Sequence, residues 1–135
     1  MALPLKLFAR AAAAVAAAVF TAGSALAAET GSDLFAQNCS ACHQAMGQGV
    51  PGAFPALAGN KFVQGDPKGP AYVVTHGRGG MPNFADDLDD KQIAAILTYV
   101  RSSWGNTAPE VDAAAVAAQR GAASPPNNEA GLPFH

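Results

Sequence analysis

The segment Cys39-Ser40-Ala41-Cys42-His43 constrains this chain more than any other feature of its sequence. The pattern Cys-x-x-Cys-His is the attachment signature of a c-type haem. On a helix, positions three and four apart share a face, so both thiols and the imidazole project toward one side. The sulfurs can then bond the edge of a flat macrocycle while the imidazole binds its iron. The motif therefore predicts one covalently attached haem c.

Three other interpretations of the cysteine pair are less favourable. A thioredoxin-like redox pair requires a βαβ setting, and the sequence shows no strand-like runs. A structural zinc site usually has four ligands, whereas the only further histidines are His76 and His135 and no further cysteine exists. A disulfide between Cys39 and Cys42 would close a very small loop and constrain the unfolded chain little. We therefore favour haem attachment.

Residues 1–27 resemble a secretory signal peptide. Two basic residues precede an apolar run at positions 11–22, and Ala25-Leu26-Ala27 forms a typical cleavage site. The alternative is an uncleaved membrane anchor, but the uncharged run is shorter than the roughly 20 apolar residues that a span requires. The pattern predicts a mature chain that begins at Ala28, lies in the periplasm and has no membrane span.

The composition of the remaining chain limits its partners. Without residues 1–27, six Lys and Arg side chains stand against ten Asp and Glu. Nucleic-acid binding is not expected, because phosphate contacts require a basic surface. We expect one small domain over residues 28–106, to whose core a buried haem would add. Residues 107–135 are rich in Ala and Pro and predict a partly disordered C-terminal extension.

Helical patterns dominate the predicted domain, which makes its expected fold class all-α. Ser32 predicts the N-cap of a first helix that runs into the haem motif. A loop rich in Gly and Pro follows at residues 47–59. Gly69-Pro70 delays the next helix, which we expect at residues 71–76, ending at Gly77.

The clearest helix is expected from about residue 90 to 103. Asp89 is a suitable N-cap, and Gln92 three residues later completes a capping-box pattern. Apolar residues recur on one face at helical spacing, at Ile93, Ile96, Leu97 and Val100. Beyond this helix, Val111 and Val116 are expected to lie against the domain.

A second axial ligand to the iron must come from the candidates Met46, Met81, His76 and His135. Met46 lies only three residues after His43 and cannot easily reach the opposite face of the ring. His135 ends a tail, and His76 suits an exposed helix end. Met81 follows three glycines, which allow the backbone to approach a flat ligand. We therefore expect Met81 as the second ligand, a thioether that raises the haem potential.

Together these segments resemble the class I c-type cytochromes. The resemblance covers residues 31–106 and is carried by GSDLFAQNCSACH, FPALAGN, GRGGMPNF and DKQIAAILTYVRSSWGN. It is greatest to small cytochromes and cytochrome subunits that serve periplasmic dehydrogenases or oxidases. The resemblance implies a small all-α domain wrapped around one haem, with long loops rich in Gly and Pro.

The resemblance also implies roles for individual residues. Cys39 and Cys42 would form the thioethers, with His43 and Met81 as axial ligands. The carbonyl of Pro55 would orient the imidazole, a general role for a group beyond the ligands themselves. Further residues would wall the pocket or neutralise a propionate: Phe54, Leu57, Tyr72, Phe84, Trp104 and, for the propionate, Arg78, with Lys61 and Asn60 as alternatives.

These expectations favour a soluble periplasmic one-electron carrier rather than an enzyme. With both axial positions filled, a substrate cannot reach the iron, and only electrons are exchanged with redox protein partners. The first alternative is an electron-transfer subunit permanently docked on a periplasmic dehydrogenase or oxidase. The second is a haem enzyme or gas sensor with an open axial position, which would require Met81 to be absent or labile.

Overall fold

A computed structural model describes residues 28–123 of the chain, and every regular element in that part is helical. The only β-type pairings among these residues are two isolated bridges, so the predicted all-α fold class is confirmed. None of the helices there is long and apolar enough to cross a membrane. The predicted signal peptide and residues 124–135 lie outside the described part. The helices are α1 (Gly31–Asn38), α2 (Ser40–His43), α3 (Lys61–Gln64), α4 (Lys68–His76), α5 (Asp90–Ser102) and α6 (Ala113–Arg120).

Helix α1 begins before its predicted position, so the N-cap expected at Ser32 is wrong. Thr30 is the N-cap, and its hydroxyl accepts a bond from the Asp33 N–H. The Asp33 carboxylate accepts bonds from the Thr30 hydroxyl and the Thr30 N–H, and these bonds lower the pKa of Asp33. Gly31 makes the early start possible, because a Cβ there would lie 2.2 Å from the Ala95 carbonyl oxygen of α5. The helix therefore starts where it touches its neighbour.

Helix α5 confirms its predicted capping box. The Asp89 carboxylate accepts a bond from the Gln92 N–H, and the Gln92 side chain accepts one from the Asp89 N–H. The apolar stripe of α5 is buried as expected. Its inner face packs against α1, where the Phe35 and Tyr99 rings lie 5.6 Å apart. Trp104 completes this aromatic group, with centroid distances of 5.1 Å to Phe35 and 5.4 Å to Tyr99.

Helix α4 begins at Lys68, before the position expected from Gly69-Pro70. Proline is tolerated here because the first N–H groups of a helix have no intrahelical partner. The Asp66 carboxylate accepts a bond from the Lys68 N–H and supports this first turn. Gly69 also lies against the ring of Phe62, where a Cβ would approach to 2.9 Å.

Two short helices were not expected from the sequence. Helix α3 is capped by Asn60, whose side-chain oxygen accepts bonds from the N–H groups of Phe62 and Val63. Helix α6 is capped by Asp112, which accepts a 2.7 Å bond from the Ala115 N–H. The run of alanines after Asp112 is a favourable helix sequence and was the signal for α6.

Helix α6 packs against α4 and α5, so the packed structure continues past residue 106 into the predicted extension. Val111 and Val116 are buried in the core, as expected. At the end of α6, Arg120 bonds Asp90 at 2.5 Å and the carbonyl oxygens of Ala85 and Leu88 at 2.6 and 2.8 Å. This arginine fastens the C-terminal segment to the start of α5.

Candidate haem site

The cysteine–histidine motif occupies a single helical turn. Cys39 is both the C-cap of α1 and the N-cap of α2. Its carbonyl oxygen accepts bonds from the N–H groups of Cys42 and His43 at 3.2 and 2.9 Å. The regular helix is interrupted at Cys39. The predicted helical spacing is therefore present, although in a short helix of its own rather than in an extension of α1.

His43 is buried, and one hydrogen bond fixes the orientation of its ring. Its Nδ1 lies 2.9 Å from the carbonyl oxygen of Pro55, as the resemblance implied. A carbonyl oxygen can only accept, so Nδ1 must carry the proton of the neutral ring. The lone pair then resides on Nε2, which is the nitrogen left for a metal. The contact thus orients the imidazole and selects its ligating atom.

Cys39 and Cys42 are both free thiols and half-buried. Burial raises the pKa of Cys39 to about 11, and the neighbouring Cys42 adds to the shift. Cys39 is therefore a neutral thiol near pH 7 in the polypeptide. Neither cysteine is used for a disulfide, which leaves both sulfurs for a covalent bond to a ligand.

The loop after the motif is held tightly by its own backbone. Val50 and Phe54 exchange two backbone bonds of 2.8 Å, and the Gly47 carbonyl accepts bonds from the N–H groups of Leu57 and Ala58. Gly49 packs against the backbone that leads to Pro55: a Cβ there would lie 2.4 Å from the Phe54 oxygen. This loop places the Pro55 carbonyl beside the histidine.

Met81 lies in a second narrow loop. Its backbone exchanges bonds of 2.9 and 3.1 Å with Arg78, and its side chain is half-buried. Gly77 has a φ of +76°, and a Cβ there would lie 2.6 Å from the Met81 carbonyl oxygen. Gly77 therefore allows two backbone segments of this loop to lie close together, while the predicted approach of the glycines to a flat ligand stays a prediction. The loop returns to α4 through a 2.9 Å bond from the Phe84 N–H to the Val74 carbonyl.

The remaining pocket candidates have different surroundings. Leu57, Phe84 and Trp104 are partly buried and pack against the hydrophobic core. Tyr72 stacks on His76 with a centroid distance of 4.0 Å and an interplanar angle of 10°. Phe54 remains 40% exposed, and its place in a haem pocket stays a prediction.

The proposed propionate partners also differ from one another. The Arg78 guanidinium lies 5.6 Å from the centroid of the Phe62 ring. Asn60 uses its side chain to cap α3 and to donate to the Ala56 carbonyl, so its polar atoms have partners within the fold. Lys61 is exposed. The structure favours no single residue for this task.

The other axial candidates are at the surface. His76 is exposed at the end of α4, and its Nδ1 lies within 2.9 Å of the Thr75 hydroxyl and 3.1 Å of the Tyr72 carbonyl. Met46 is 61% exposed. His135 lies outside the described residues. His76 thus lies at an exposed helix end, as the sequence predicted, and Met81 stays the predicted ligand.

Three polar residues that join distant segments were missed by sequence reasoning. Arg101 is 2% exposed, and its guanidinium donates to the carbonyl oxygens of Val63 and Gly65. Arg101 lies four residues after Leu97, on the apolar face of α5, and this position indicates that it is buried. Asn106 is 3% exposed and bonds the loop after Pro55. Arg120 is the third, and nothing in its local sequence distinguishes it.

The residues present fit a covalently attached haem. Two free thiols lie in one helical turn with an imidazole whose Nδ1 bonds the Pro55 carbonyl, so that the neutral ring offers Nε2 to a metal. A methionine occupies a separate loop built for close backbone approach. Two thiols that can form thioethers with the macrocycle, and an imidazole and a methionine sulfur that can ligate the iron, are the groups that hold a His/Met-ligated haem c.

Comparison with known proteins finds related cytochromes. The family described as cytochrome C oxidase, cbb3-type, subunit III matches residues 26–100. A cytochrome c-552 of Thermus thermophilus is 38% identical over 100 residues, which cover 62% of this chain and 66% of that protein. Cytochrome c6 of Diacronema lutheri is 31% identical over 78 residues, covering 56% of this chain and 94% of that protein.

Another relative is a much longer protein. The cytochrome c subunit of the quinone alcohol dehydrogenase of Gluconobacter oxydans is 36% identical over 91 residues. The match covers 58% of this chain and only 19% of that subunit. The chain therefore corresponds to about one fifth of the length of this relative.

Proposed function

This chain belongs to the cytochrome c family of the cbb3 type, and from that premise we propose that it is a periplasmic one-electron carrier with a His/Met-ligated haem c. Family membership confirms the predicted cofactor and the predicted class, an electron-transfer protein rather than an enzyme. Cys39 and Cys42 are proposed to hold the haem covalently, and His43 and Met81 to ligate its iron.

The bond between His43 and Pro55 is the observation that carries this proposal. The Pro55 carbonyl lies 2.9 Å from Nδ1 and can only accept a bond, so the neutral ring carries its proton on Nδ1 and offers Nε2 to a metal. A histidine kept only for packing would not need both its burial and this choice of nitrogen. The adjacent thiols make the ligand a haem rather than a simple metal ion.

When bound, the haem supplies an iron that gains and loses a single electron. The chain's own backbone contacts would hold the two proposed ligands of that iron in place. The closed backbone of the loop at residues 47–59 holds the His43 side. The paired backbone of Arg78 and Met81 holds the methionine side. Little movement of the ligands means little reorganisation, which favours rapid electron transfer.

We also propose that the protein is exported and that the signal peptide is cleaved before Ala28. The support is the basic start, apolar run and Ala25-Leu26-Ala27 site of residues 1–27. Mass spectrometry of the protein from its native periplasm tests this proposal. The expected mass is that of residues 28–135 plus one haem, whereas a chain that keeps Met1 would contradict it.

The alternative function is that of a docked electron-transfer subunit. The name of the Gluconobacter oxydans relative, a cytochrome c subunit of an alcohol dehydrogenase, supports this possibility. Copurification distinguishes the two functions. A free carrier elutes alone from native extracts at physiological salt, whereas a docked subunit elutes with a dehydrogenase or oxidase.

Optical spectroscopy of wild type and two variants tests the axial ligands. The oxidised wild type should show the weak near-infrared charge-transfer band of sulfur–iron ligation. Met81→Ala should lose this band, lower the potential and bind carbon monoxide in the reduced state. His76→Ala, a matched change at the rival candidate, should leave all three properties unchanged. An altered spectrum in His76→Ala with an unaltered one in Met81→Ala would refute the assignment.

A further inference from the structure

Asn106 has a buried side chain whose three hydrogen bonds all go to backbone groups, two of them in a segment nearly 50 residues earlier. Its Nδ2 donates to the carbonyl oxygens of Val100 at 2.8 Å and Leu57 at 3.1 Å. Its Oδ1 accepts a 2.8 Å bond from the Gly59 N–H. The side chain is 3% exposed, so water cannot replace these partners easily. The carboxamide thus joins the last turn of α5 to the loop at Leu57 and Gly59.

This attachment lies two to four residues after Pro55. The same loop is held from its other side, because the N–H groups of Leu57 and Ala58 both donate to the Gly47 carbonyl. Gly49 contacts the Pro55 backbone, where a Cβ would lie 2.6 Å from the Pro55 carbonyl carbon. The contacts from Gly47 and Gly49 come from the loop itself. Asn106 provides the side-chain link from this segment to a long helix.

We propose that Asn106 is a positioning residue for His43. By fixing Leu57 and Gly59 against α5, it holds the Pro55 carbonyl 2.9 Å from the His43 Nδ1. The inference rests on the proposed role of His43 as the haem ligand. A stronger bond at Nδ1 makes a ligating imidazole more basic, and bonding around the ligand is one means by which proteins set a haem potential.

Asparagine suits this position because the site requires two donors and one acceptor in one plane. An aspartate carboxylate in its place would have no donor for the carbonyls of Val100 and Leu57, and a leucine side chain of similar size would bond none of the three groups. We therefore expect Asn106→Leu to release the loop and weaken the bond between Pro55 and His43. The predicted result is a higher reduction potential, because a less basic imidazole stabilises ferric iron less.

The test is solvent exchange of the His43 Nδ1 proton, measured by NMR on reduced holoprotein labelled with ¹⁵N-histidine. We expect exchange in Asn106→Leu to be at least about tenfold faster than in wild type, together with the rise in potential, since about 1.4 kcal/mol of lost restraint corresponds to a factor of ten. Thr98→Val is the matched control, because Thr98 makes comparable bonds from α5 to the backbone of Val111, far from Pro55 in the chain. This control should leave the exchange rate and the potential unchanged.

Three results would overturn the proposal: equal Nδ1 exchange in Asn106→Leu and Thr98→Val, a potential that does not rise, or a parallel acceleration of the amide of Ile93 in α5. The last result would show a general loss of stability. If Asn106→Leu yields no holoprotein, the same three measurements are made on the milder variant Asn106→Ser. Failure of these tests leaves the near-infrared test of Met81 unaffected, so the two proposals fail separately.

Discussion

The indole of Trp104 lies directly on the backbone of Gly47. A Cβ at Gly47 would lie 2.4 Å from two carbons of that ring, and the φ of Gly47 is +63°. Trp104 itself has a φ of +53°, which is uncommon for a large side chain. The contact joins the residue four positions after His43 to the aromatic group that packs α1 against α5.

Gly47→Ala should destabilise the holoprotein by about 2–4 kcal/mol, from strain at positive φ together with overpacking against the ring. Chemical denaturation followed by haem absorbance measures the change. Gly52→Ala is the matched control, because Gly52 also has a positive φ of +77° but no atom within 4 Å of its Cβ position. It should cost only about 1–2 kcal/mol. Equal losses in the two variants would show that the Trp104 contact is unimportant.

The second prediction concerns the covalent attachment of the haem to Cys39 and Cys42. Replacing Cys39 or Cys42 by Ser should leave at most one thioether, and the double variant should keep no haem after extraction with acid acetone. Pyridine haemochrome spectra of the washed, denatured protein measure the retained haem. Ala41→Ser places the same hydroxyl between the two cysteines at an exposed position and should retain the full amount. Extraction of haem from wild type would contradict c-type attachment.

Arg101 supports the third prediction. Burial lowers the pKa of its guanidinium, but an arginine stays protonated in proteins. The buried positive charge is therefore stabilised by the bonds that it donates to the carbonyls of Val63, Gly65 and Pro109. Arg101→Met should cost about 2–4 kcal/mol of unfolding free energy, because it leaves buried acceptors without donors. Lys91→Met, at an exposed position of the same helix, should change the stability by less than about 0.5 kcal/mol. Denaturant titration of both variants measures these changes, and similar losses would contradict the role of Arg101.

The sequence allowed prediction of the elements whose signals are local. The capping box of Asp89 and Gln92 and the apolar stripe of α5 depend on residues within a few positions of each other. The cap of α1 was misplaced although its signal is also local, because Thr30 and Asp33 form a capping box and Ser32 was predicted as the cap instead. Asn106 was missed because its partners lie in a distant segment. Its partners at Leu57 and Gly59 lie nearly 50 residues earlier, at separations of 49 and 47.

The last prediction concerns the exit of electrons through the loop at residues 47–54. Its neighbourhood carries the large apolar side chains with the greatest exposure in the described part of the chain: Met46 at 61%, Phe54 at 40% and Val50 at 37%. No charged residue occurs between positions 44 and 60. Transient redox interfaces are small, so a few contacts should decide the rate of transfer. We expect this loop to contact the redox partner beside the proposed haem site.

Val50→Lys should slow electron transfer to the native partner by about tenfold, the effect of roughly 1.4 kcal/mol of lost docking energy. Ala53→Lys should act in the same direction. Ala117→Lys, an exposed change of equal charge on α6, controls for the added charge and should transfer at the wild-type rate. Spectrum and potential should be unchanged in all three variants. The acidic group at residues 86–90 is the competing site, and its neutralisation should matter mainly at low salt. Equal stopped-flow rates for Val50→Lys and Ala117→Lys would remove the loop from the interface.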